Sequence, residues 1–125
     1  MTILRKISEW QENQFPENTV EGCFEHICQE IEELRCLMRE VEGVTGGNED
    51  LSIPSRESAR PSMERRRLAE EFADIIFMAN RAINRLGLDT EGILQSKLEK
   101  NKKRRWPDIP DKYGMYKHIK EIEED

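Results

Sequence analysis

Apolar residues recur at intervals of three and four along most of the chain, and no stretch alternates with period two for long enough to make a convincing strand. The pattern predicts an all-α protein. Ile3, Ile7 and Trp10 mark one side of a first helix over residues 3–14, and Pro16 stops it shortly after. Thr19 is the expected N-cap of a second helix, with Gly22 tolerated in the first turns. Val20, Phe24, Ile27, Ile31, Leu34, Met38 and Val41 form its one stripe, and the helix should end at Gly43. A third helix is expected from Ser62, behind Pro61, to Leu86, with Gly87 as the stop signal and a stripe centred on Phe72, Ile76, Ala79 and Ile83. Asp89 or Thr90 caps a fourth that continues to Trp106-Pro107, and the tail from Tyr113 to Ile122 is expected to add a short helix.

Between the second and third helices the segment 43–62, GVTGGNEDLSIPSRESARPS, has no apolar period and is rich in Gly, Ser and Pro. A connection this long inside a compact domain is usually flexible or functional, and a lid carrying Arg56 or Arg60 is one expectation for it. The whole chain, 125 residues, supports one core, so a single domain over residues 1–125 is expected.

Charge narrows the function classes. The net charge is −6 with 37% of residues charged, which argues against a nucleic-acid coat or a membrane-surface binder, since both need excess positive charge. The first residues, MTILRKISEW, lack the apolar stretch of a secretion signal, and no apolar run approaches the length of a membrane span. A cytoplasmic protein is expected, in the host cytoplasm if it is phage-encoded. Cys23, Cys28 and Cys36 are odd in number and lack C-x-x-C spacing, so reduced thiols are expected rather than disulfides or a zinc site.

Two acidic pairs carry the candidate chemistry: Glu30 with Glu33 on the second helix, and Glu71 with Asp74 on the third. A spacing of three puts each pair on adjacent turns about 60° apart around the axis. Helical projection places Glu30 at the edge of the apolar stripe with Glu33 and His26 just beyond it, while Glu32 points to the wet side. On the third helix Glu71 borders the stripe beside Met78, and Asp74 and Arg81 follow. If the two helices pack, four carboxylates converge at the margin of the core. So many unpaired carboxylates repel, and burial adds to the cost, so divalent cations would be needed between them. All-oxygen ligation favours Mg²⁺ or Mn²⁺. Chance alone gives about five acid-x-x-acid pairs in so acidic a chain, so solvated helix faces stay open as the alternative.

A basic run, KLEKNKKRRWP over residues 97–107, is uneven around its helix. Lys97, Asn101 and Arg104 fall on the face shared with Ile93 and Leu94, whereas Lys100 and Lys103 point elsewhere. Phosphate binding suits such a stripe. Favourable charge at a helix C-terminus and a nucleic-acid patch are the other readings.

Together these features resemble the MazG-like, all-α nucleoside triphosphate pyrophosphohydrolases, in particular the small phage and bacterial branch of dATP/dGTP diphosphohydrolases. The resemblance is carried by ILRKISEWQENQFPENT, by HICQEIEEL, by EEFADIIFMANRAINRLGLD, and by the closing Lys-x-x-x-Asn-x-x-Arg-x-Trp-Pro. One departure is the spacer of 37 residues between Glu33 and Glu71, longer than in most MazG-like domains. The resemblance implies a helical bundle that assembles as a dimer or a dimer of dimers (a homotetramer). It implies two or three Mg²⁺ or Mn²⁺ ions on Glu30, Glu33, Glu71 and Asp74, which are also the catalytic residues. Lys97, Asn101 and Arg104 would contact the triphosphate.

His26, on the ligand face, is a further candidate for substrate contact, whereas Trp10 and Phe15 fit the core as well as a base site. The expected reaction is hydrolysis of a nucleoside triphosphate between the α and β phosphates to a monophosphate and pyrophosphate. A purine deoxynucleotide is the expected substrate, dGTP before dATP, since MazZ-type relatives convert dGTP to dGMP. A non-catalytic helical interaction module and a hydrolase of another phosphorylated compound, such as phosphoribosyl-ATP, are the alternatives. Neither nucleic acid nor membrane is expected as a partner.

Overall fold

The computed structural model describes residues 1–45 and 63–120, the side chains of 41–45 excepted. Four helices form among them: α1 (Ile3–Gln14), α2 (Val20–Thr45), α3 (Met63–Arg85) and α4 (Thr90–Lys103). The all-α expectation therefore holds for these residues, and the termini follow from local chemistry. Thr2 caps α1 by accepting from the Arg5 amide at 3.2 Å. At the start of α2 the Thr19 hydroxyl accepts from the Gly22 amide at 3.0 Å, and a Cβ on Gly22 would stand 3.0 Å from that same oxygen, so the glycine gives the cap its room. Gly87, at φ +83, turns the chain out of α3, and Asp89 accepts from the Gly92 amide at 3.1 Å to open α4.

Three expectations differ from what is observed. The second helix passes through Gly43 to Thr45, because one glycine costs a helix only about 1 kcal/mol. The remainder of the 43–62 segment, with Arg56 and Arg60, lies outside the described residues. The fourth helix stops at Lys103, and the tail to residue 120 is not helical. There the Asp111 carboxylate accepts from the amides of Tyr113 and Met115, and Gly114 takes φ +75. These bonds close a turn that returns the chain to an antiparallel bridge between Arg105 and Ile119. They hold the Asp111 carboxyl below the ordinary carboxylate range.

The chain forms two compact units, Met1–Leu88 and Asp89–Asp125. In the first, α3 packs on α2 and more lightly on α1. The α2–α3 seam has a small apolar centre of Leu34 and Leu68, flanked by Leu37 and Ile75.

The α1–α3 seam is instead polar. Gln11, Asn80 and Arg81 are fully buried there. The Gln11 side-chain amide donates to the Phe77 carbonyl at 2.8 Å, and Asn80 donates to the Gln11 carbonyl oxygen at 3.0 Å and to the Ser8 hydroxyl at 3.1 Å. Arg81 donates to the Glu12 carboxylate at 2.7 Å, to the Phe15 carbonyl at 2.7 Å and to the Asn18 side chain at 3.3 Å. With its donors met in this way the guanidinium is accommodated inside, and it holds the end of α1 and the α1–α2 turn onto α3. Trp10 lies against Phe15 and Phe77 edge to face.

The expected core stripe of α3 is only partly inside: Phe72 is 51% and Ile76 56% exposed. Its neighbours Leu68 and Ile75 meet α2 instead. In the second unit α4 is exposed from Glu91 to Lys100.

Candidate metal and phosphate site

The α2–α3 pairing positions the carboxylates. The helices run antiparallel, so Glu30 lies beside Glu71 and Asp74, whereas Glu40 shares a cleft with Arg67. Glu30, Glu71 and Asp74 each place an oxygen within 4.8 Å of the others. Their backbone positions follow from the helical period, because Glu71 and Asp74 stand on adjacent turns and Glu30 faces them from α2.

His26, one turn before Glu30, places Nε2 3.2 Å from Glu30 Oε1. The other Glu30 oxygen is buried and finds no hydrogen-bond donor. Hydrogen bonding to Glu30 is the first cause that pushes the Glu71 carboxyl above its ordinary range. Desolvation and the charges of Glu30, Asp74 and Glu33 add to it. An orphaned buried oxygen, a carboxylate that resists ionising and an all-oxygen donor set fit a hard divalent cation.

Glu33 stands outside this close trio. It is exposed, yet its charge reaches Glu71, and both line a cleft of about 420 Å³ between α2 and α3. Glu32, Cys36 and Glu40 of α2 and Arg67 of α3 complete most of its wall. Glu32, projected onto the wet side of α2, instead lines this cleft as an exposed residue, 3.6 Å from Arg35. Sequence reasoning passed over Arg67 and Glu40, although each shares a helix face with an acid already singled out: Arg67 with Glu71 at a spacing of four, and Glu40 with Glu33 at a spacing of seven.

The phosphate candidates belong to the second unit. Lys97 is exposed, and Asn101 and Arg104 are half-buried. Arg104, the first residue past α4, donates to the Asn101 side-chain oxygen at 2.9 Å, and the Trp106 indole donates to the Asn101 carbonyl at 2.8 Å. The amide thus sets the direction of the guanidinium, and the tryptophan fastens the helix end.

An all-α fold that aims carboxylates from two helices at one point, beside a cleft with a guanidinium on its wall, suits the class of metal-dependent hydrolases that act on phosphoanhydrides. Within it, the chain belongs to the dATP/dGTP pyrophosphohydrolase family, whose model matches residues 62–125, and it is a nucleotide pyrophosphohydrolase. The fold is MazG-like: it is similar to the cyanophage S-2L MazG-like pyrophosphohydrolase, a structure bound to dGDP and three catalytic Mn²⁺ ions per active site. The TM-score is 0.55 at 20% identity, over 94% of this chain and 90% of that one. No curated protein matches the chain in sequence.

Proposed function

We propose that the protein hydrolyses a purine deoxynucleoside triphosphate, dGTP first, to the monophosphate and pyrophosphate. The observation that carries this is the convergence of Glu30, Glu71 and Asp74 beside the Glu33 cleft in a chain of this family. The S-2L enzyme, bound to dGDP, supports guanine over adenine.

Mg²⁺ or Mn²⁺, two or three ions held by Glu30, Glu33, Glu71 and Asp74, supplies Lewis acidity at the phosphate oxygens when bound. One of the glutamates takes a proton from the attacking water as its oxygen bonds to the α-phosphorus. The bond from that phosphorus to the bridging oxygen breaks, and pyrophosphate leaves with the electron pair. Glu30 is steadied by His26 through the oxygen nearer the imidazole. Lys97 and Arg104 hold the outer phosphates, with Asn101 orienting them.

The protein works as a dimer or a dimer of dimers of this chain. Among its described residues the first unit buries few apolar side chains, Cys23, Leu34 and Leu68, while Phe24, Ile31 and Met38 of α2 and Phe72 and Ile76 of α3 stay exposed. A second copy is the partner that suits these two stripes, because like faces pair across a twofold axis.

Phosphate release coupled to added pyrophosphatase tests the reaction across dGTP, GTP, dATP, dCTP and dTTP, with Mn²⁺ and with chelator. Metal-dependent release, greatest with dGTP, is expected; none from any nucleotide would refute the reading. Glu33→Gln and Glu71→Gln should each lower turnover roughly 100-fold or more while keeping the helical circular dichroism spectrum. Wild-type turnover in both would remove the carboxylates from the mechanism.

A further inference from the structure

Arg67 precedes Glu71 by one helical turn, and both side chains line the α2–α3 cleft. Facing them are Glu32, Glu33 and Glu40, so among the described residues lining this cleft Arg67 is the cation. Two roles suit a guanidinium there: counter-ion to the glutamates, or ligand for an anion that enters once cations have neutralised them.

The layout of the cleft separates these roles. Of the converging carboxylates Glu71 lines the cleft, and Arg67 follows along α3 about 6 Å of helix rise from it, on the side away from Asp74. An extended polyphosphate whose reacting phosphorus sits at the carboxylate end runs a comparable distance. Arg67 is exposed, and an exposed ion pair contributes little stability, so neutralising glutamates is weak grounds for an arginine here. Its planar fork matches two oxygens of one phosphate, a geometry that a lysine cannot reproduce.

From this we infer that Arg67 is a substrate-binding residue that grips a non-reacting phosphate and sets the preference for a triphosphate over a diphosphate. The inference rests on the pyrophosphohydrolase reading above.

The test compares wild type, Arg67→Gln and Arg67→Lys by calorimetric binding of an α,β-imido deoxyguanosine triphosphate and of dGDP in saturating Mg²⁺. Mn²⁺ binding is followed by electron paramagnetic resonance without nucleotide. Arg67→Gln should weaken the triphosphate about tenfold and leave dGDP within about twofold, with Arg67→Lys between. Its Mn²⁺ affinity should be unchanged. Unchanged triphosphate binding would overturn the inference. So would equal loss for both nucleotides, or tighter Mn²⁺ with no change in nucleotide preference, which is the mark of a counter-ion. The binding arm needs no turnover, so it decides on Arg67 even where the wild-type protein hydrolyses nothing, an outcome that counts against the parent reading alone.

Discussion

Arg81 shows how far one residue's role can depart from its place in a pattern. Projected along α3 it falls beyond Asp74 on the acidic border, yet it is fully buried and spends its donors on α1 and the α1–α2 turn. Arg81→Ala removes three hydrogen bonds and leaves the Phe15 carbonyl with the longer bond from the Asn18 amide, 3.3 Å, so a loss of roughly 2–4 kcal/mol is expected in urea unfolding.

Its partner carries the pH dependence. Hydrogen bonding to Arg81 and then its charge hold the Glu12 carboxyl below the ordinary range. A lowered carboxyl contributes stability that is present above its unfolded pKa and is lost as pH falls through the folded one. The unfolding midpoint of wild type should therefore drop on acidification from the ordinary carboxylate range downward. Glu12→Gln should flatten that part of the curve; an unaltered acid limb would mean that the ion pair does not stabilise the fold. The thiols divide by burial. Desolvation raises Cys23, which is buried, whereas Cys28 and Cys36 are exposed, so a thiol reagent should label two sites rapidly and Cys23 only on unfolding.

At the scale of elements, helix starts were legible because each depends on a few adjacent residues. Thr19 and Asp89 cap as their sequence contexts indicate. Thr19→Ala should cost about 1 kcal/mol. Gly22→Ala should couple to it: with the hydroxyl present the new methyl crowds it, and with the hydroxyl gone the methyl adds helix propensity of up to about 1 kcal/mol. A double-mutant cycle in thermal melts that summed without an interaction would contradict the packing of the cap on Gly22. Helix ends were less legible. A helix is expected from Tyr113 onward, but Gly114 bends left-handed inside a turn closed on the Asp111 carboxylate, and Ile119 bridges Arg105 instead.

For the whole molecule, the apolar pattern of α3 covers more than one face, and that redundancy hid which side meets α2. Leu68 and Ile75 meet it, and the stripe through Phe72 and Ile76 is left outside. Given the proposed self-association, Phe72→Glu with Ile76→Glu should shift the protein to monomer in light-scattering chromatography. The helices should survive, because neither side chain belongs to the α2–α3 centre. A wild-type protein that is monomeric at micromolar concentration would refute the assembly. The family match covers α3, α4 and the tail, and so contains Glu71 and Asp74, whereas Glu30 and Glu33 on α2 lie outside it. Their part in the site rests on the antiparallel pairing that brings Glu30 to Glu71.

The order of residues sufficed to place the four helices and the caps at Thr19 and Asp89, and to single out four acids as candidates, since each depends on period, propensity or a bond between near neighbours. It also carried the motifs of the family. It took the packing of the helices to put Gln11, Asn80 and Arg81 inside, to bring three carboxylates close while Glu33 stands off, and to set Arg67 in one cleft with Glu71. Those outcomes depend on which face of one helix meets another, and that choice is made by packing between residues far apart in the chain, where local rules leave several faces nearly equal.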